Sequence, residues 1–201
     1  MIRMATVLVL AFALPAYASE CVGGEPATLD ELLEAERQLE QAESNIAKIA
    51  AFKTMLRTRD RDLLVEVIRK GLSSDNEAVR SSALRCKLLM SSQFTVRTLS
   101  FRDAKKAMPG LSEKAAAIVE AGQSWSLAGL PGEPDASCVS LYKSGVCDPK
   151  YSAVASGPAI AIRRDSMVGR FELDGEGRLI GQFTESTWHK TPIVPAELLL
   201  E

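Results

Sequence analysis

Apolar residues at Leu32, Ala35, Leu39, Ala42, Ile46 and Ile49 recur at spacings of three and four. That period predicts one amphipathic helix over 28–56 with an a/d seam. Thr28 followed by Glu31 forms a capping box, and Pro26 sits just upstream of it. The stripe serves either as a face packed within its own chain or as the seam of a homodimeric coiled coil.

A helical hairpin is expected over 62–91. Asp62 is placed to cap its first helix, with Leu64, Val67, Ile68 and Leu72 on the inner face. Gly71 lowers helix propensity there by about 1 kcal/mol relative to Ala. Ser74 and Glu77 form a second capping box, which opens a helix with Val79, Ala83, Leu84 and Leu88 on one apolar face. Residues 94–110 alternate only loosely, at Val96, Leu99 and Phe101. Ser112 to Ala121 reads as a short helix with Gly122 as its C-cap. Gln123 to Ser137, with Gly129, Pro131, Gly132 and Pro134, has the composition of a linker.

The period then changes to two. Ala159 to Arg163 reads as a strand. Met167, Gly169, Phe171 and Leu173 alternate with Val168, Arg170 and Glu172, and Leu179, Gly181 and Phe183 share a face after the turn Asp174–Gly177. This is a hairpin signal. Two or three strands alone are marginal, so this sheet is expected to pack on the helices or to be clamped covalently. The apolar tail Leu198–Leu200 is expected to be packed. The pattern as a whole predicts an α+β protein. It has a helical part over 19–121 (long helix plus hairpin), a linker over 122–137, and a small antiparallel β part over 138–201.

The run Leu63 to Leu89 resembles one HEAT-type repeat. Asp75 in the turn, Val79-Arg80 and Ala83-Leu84 occupy the places that family fills between and within its two helices. The resemblance implies protein–protein binding, not chemistry. Such repeats normally need about three copies for stability, so the long helix and the downstream segment must complete the core.

The first eighteen residues concern location. Arg3 precedes the apolar run Val7–Leu14, Pro15 breaks it, and Ala16-Tyr17-Ala18 is a small-x-small cleavage site. Residues 1–18 therefore read as a secretory signal peptide, too short to span a bilayer, which takes about 20 residues. Export is expected, to the periplasm in preference to the outside of the cell, with no transmembrane segment in the mature chain. The four cysteines suit disulfides in such a compartment. Cys138 and Cys147 enclose a short polar loop and are the first pairing. Cys21–Cys86 follows by elimination, or Cys86 is a buried free thiol. Ala18-Ser19-Glu20 before Cys21 does not resemble a lipobox, which argues against a lipid anchor.

Charge adds one feature. A net charge of −2 gives no reason to expect nucleic acid binding, and aromatic residues at 5% argue against a stacking platform. The charge is nevertheless polarised. Residues 19–45 hold eight acids against Arg37, and residues 46–106 hold fourteen bases against six acids. Either an acidic helix packs beside a basic helical segment, or a basic surface meets an anionic partner.

Candidate chemistry is sparse. His189 is the only histidine. It has Glu185 nearby but no Gly-x-Ser-x-Gly elbow, so no catalytic residues are assigned. One histidine with oxidised cysteines does not make a zinc site, and no metal or cofactor is expected. Glu172 on the hairpin and Glu185 just after it are acids available to a carboxylate-dependent hydrolase. Arg163 and Arg164 point to opposite faces of a strand, and either can join Arg170, Lys190 and Trp188 in an anion pocket with an aromatic wall. The expected function is an exported, non-enzymatic interaction module. It would bind a protein partner or itself through the Leu32–Ile49 stripe or through the basic hairpin with Arg80 and Arg85. A small-ligand or glycan-binding module on the β part is the second reading, and the hydrolase is the third.

Overall fold

The predicted long helix is broken in the computed structural model, which describes residues 21, 25–131, 137–142, 146–185 and 192–201. Helix α1 spans Leu29–Gln41 and α2 spans Asn45–Met55. Ala42 and Ser44 between them are extended, with ψ of 131° and 126°. The chain folds back there, so that the Ala27 amide donates to the Arg57 carbonyl at 3.1 Å. The capping box at Thr28 and Glu31 is present. The apolar stripe thus lies on two antiparallel helices and is not one continuous seam. Its Ala35 is buried, while Ile46 stands 80% exposed beyond the break.

Helix α3 (Arg61–Leu72) and α4 (Glu77–Met90) form the expected hairpin, with different caps. Asp60, not Asp62, accepts the first amides of α3. Asn76, not Ser74, accepts those of Ala78 and Val79 at the start of α4. A Cβ on Gly71 would lie 2.5 Å from the Phe52 ring and 2.8 Å from the Ala83 methyl. Glycine there lets α3 close onto α2 and α4 at once. Glu31–Arg57 at 3.6 Å and Glu36–Lys70 at 2.7 Å tie acidic α1 to the basic segment.

Helix α4 has two apolar faces, because the core on each side of it is different. Val79, Ala83 and Cys86 face the helical core with Phe52, Val67 and Ile68. Leu84, Leu88 and Leu89 face a second core built on strands. The sequence pattern merged these faces into one.

The strands are β1 (Gln93–Thr98), β2 (Ser124–Ala128), β3 (Leu130–Pro131), β4 (Cys138–Ser140), β5 (Tyr151–Ser156), β6 (Ala159–Arg164), β7 (Met167–Leu173), β8 (Leu179–Glu185) and β9 (Val194–Leu200). They form one sheet in the order β2-β1-β9-β8-β7-β6-β5-β4-β3, and every pairing is antiparallel. The two edge strands, β2 and β3, are separated in the chain by Gly129 alone. A sheet whose edges are joined by one residue must curl back on itself. The bent run 124–131 pairs with β1 through its first half and with β4 through its second, giving eight positions around a barrel. A Cβ on Gly129 would lie 2.4 Å from the Phe94 ring and 2.8 Å from Val139, so glycine makes this corner.

The residues expected as linker therefore include two strands, and β1 comes from the stretch expected to belong to the helical part. The β part is larger than 138–201, because the sheet takes β1, β2 and β3 from before that boundary. Between β1 and β2, α5 (Phe101–Ala107) and α6 (Glu113–Glu120, followed by Gly122 at φ 61°) pack on Val194. Phe94, Phe171, Phe183, Ile160 and Ile162 fill the barrel interior. The tail is packed as β9, paired to β1 and β8. No helix among the described residues is long and apolar enough to cross a membrane. The leader expected over 1–18 lies outside the described residues.

Candidate functional site

The outer face of β5–β7 carries the most distinctive exposed surface. Strand register places Ala161 opposite Arg170 and Arg163 opposite Val168. Two arginines thus stand at diagonal corners of a four-residue square, a spacing of roughly 7–8 Å that long side chains bridge easily. Val154 lies opposite Ala161, and Cys138 opposite Val154. These small side chains make an open trough of about 550 Å³, walled at one end by Cys147 and Pro149. The Cys138–Cys147 disulfide is closed, with 6.3 Å between the Cα atoms, and fixes that wall.

The trough is basic, and the described residues that line it include no carboxylate or histidine. The Arg163 guanidinium, exposed on β6, makes no hydrogen bond or ion pair among the described residues. Arg170 bonds Glu172 at 3.1 Å, but these side chains are 74% and 63% exposed, and such pairs add little. Both guanidiniums are available to a carboxylate or phosphate. The cleft between α1, α2 and α3 differs. Its Lys48, Lys70 and Arg69 are paired to Asp75, Glu36 and Glu66.

Comparison with known proteins finds no matching family model, and no curated protein or solved structure that is significantly similar to this chain.

Of the arginines expected to converge, the structure brings Arg163 and Arg170 together. Arg164 is half-buried on the opposite face of β6, in line with Ile160 and Ile162. Trp188, His189 and Lys190 lie outside the described residues. Arg80 is not a free surface cation, because its Nη1 donates to the Ser74 carbonyl at 2.7 Å and holds the α3–α4 turn. Arg85 is exposed on α4. Glu172 and Glu185 do not form a pair across one bond. Glu172 lies on the outer face with Arg170, and Glu185 lies on the inner side, accepting from Trp125 Nε1 at 2.9 Å.

Trp125 escaped the sequence reading, since its surroundings look like a linker. It packs on Phe183 with centroids 4.8 Å apart. Strands β2 and β8 are three positions apart in the sheet, so the Trp125–Glu185 bond crosses the inside of the barrel. The floor of the trough was also missed. Its signal was present in the alternation of Ala161, Arg163, Val168 and Arg170 on one strand face.

Proposed function

We propose that this chain is an exported, non-enzymatic interaction module that holds an acidic, extended segment of a partner protein in the Arg163–Arg170 trough. The carrying observation is the pair of exposed arginines over a small apolar floor, with one of them unpaired among the described residues. The trough is open and runs across four strands, β4 to β7, which suits an extended chain more than an enclosed small molecule. Export has two supports, the leader pattern over 1–18 and the Cys138–Cys147 disulfide. The Leu63–Leu89 hairpin, with its HEAT-type resemblance, fits an interaction role, and its shared core with the barrel makes it a rigid backing for the trough.

Selection from a displayed peptide library tests this. The expected binders alternate Asp or Glu with apolar residues, weaken as salt rises, and are lost on the Arg163→Glu/Arg170→Glu variant. Binders that hold equally well to that variant would overturn the reading.

A further inference from the structure

Cys21 packs against the helical core that contains Cys86, and it is the neighbour that does most to raise the Cys86 pKa. Cys21 is half-buried and Cys86 is buried, and neither belongs to the Cys138–Cys147 disulfide. Cys21 packs against both the helical core and the barrel core, at the junction that α4 forms between them. The same chain carries a closed disulfide at Cys138–Cys147. We propose that Cys21 and Cys86 are a second cross-linking site, which closes to a disulfide and pins the segment at residue 21 onto α4.

The oxidant is a disulfide-bearing thiol carrier of the oxidising compartment. The half-exposed Cys21 loses its proton and attacks one sulfur of the carrier's disulfide. That S–S bond breaks, one carrier thiolate leaves, and a mixed disulfide remains on Cys21. Cys86 Sγ then loses its proton and attacks Cys21 Sγ, expelling the second carrier sulfur. Two electrons pass from the cysteine pair to the carrier, whose two sulfurs take up the two protons. The order follows from the surroundings. Cys21 is the more exposed of the two, so the carrier reaches it first, and buried Cys86 is left to the intramolecular second step. The long chain between residues 21 and 86 is then closed into a loop, which restricts the unfolded ensemble.

The test uses the full chain expressed with its own leader in a secreting bacterium. The harvested protein is unfolded with N-ethylmaleimide and no reductant, then weighed intact and mapped as unreduced peptides. On molecules whose Cys138–Cys147 bond is closed, the expected result is no maleimide adduct and a linked Cys21–Cys86 peptide. In the Cys21→Ser variant one adduct is expected, on Cys86. Two adducts on the native chain, a lipid on Cys21, or Cys21 joined to Cys138 or Cys147 would overturn the proposal. A second measurement does not depend on export. Oxidised glutathione added to the folded, reduced chain is expected to leave a Cys21–Cys86 link, and glutathione held stably on Cys21 would also overturn it.

Discussion

At the scale of single residues, close approach matters more than propensity. Gly71 reads in the sequence as a weak point of its helix, and its role appears only where Phe52 and Ala83 meet it. Gly71→Ala forces a methyl into that junction. It is expected to cost about 1–3 kcal/mol despite the better helix propensity of Ala, measured as a fall in the urea midpoint. A neutral or stabilised variant would contradict the packing described. Trp125→Phe keeps the ring against Phe183 and removes the donor to Glu185. It is expected to cost about 1–3 kcal/mol, because a half-buried carboxylate loses its partner. Glu185→Gln keeps an acceptor and is expected to cost less. Neither role was legible locally, since both depend on residues far away in the chain.

At the scale of elements, periodicity located most helices and the β6–β8 strands. It failed at boundaries and at shared faces. The seam from Leu32 to Ile49 runs through Ala42-Glu43-Ser44 without a Pro or Gly to mark the turn, so pattern alone continued the helix. The cap assignments at α3 and α4 each moved by two residues because Asp60 and Asn76 compete with the neighbouring Asp62 and Ser74. Asn76→Ala is therefore expected to cost about 1 kcal/mol and Ser74→Ala less, in chemical denaturation. The β7–β8 turn was legible, and Asp174 organises it. Its Oδ1 accepts the Glu176 and Arg178 amides at 2.9 Å each. Burial acts to raise the Asp174 pKa, but those amides and the Arg178 guanidinium outweigh it and hold it below the ordinary value. A depressed carboxyl stabilises the fold above its unfolded pKa, about 3.9. That contribution is lost as pH falls through the lower folded value. Asp174→Asn is expected to flatten the acid limb of stability against pH, and an unchanged limb would count against this assignment.

At the scale of the molecule, the α+β class and the order of helices before strands were legible. The closure of the sheet was not. A glycine- and proline-rich stretch looks like a linker, yet Gly129 is the corner that lets one run of chain serve both edges. Because β1, β2 and β3 complete the barrel, the isolated fragment 138–201 is expected to stay unfolded, with collapsed amide dispersion in its NMR spectrum. A well-dispersed spectrum would mean the β part stands alone. The arginines of the trough were named from sequence, but their shared face with Val154, Ala161 and Val168 needed the register. In the proposed function this face meets the partner. Its most direct test places a photo-crosslinking amino acid at Val168, with Ile46 on the helical side as control, in cells that make the full chain. A discrete protein adduct is expected from position 168, and it disappears with Arg163→Glu/Arg170→Glu. Adducts from position 46 with none from position 168 would contradict it.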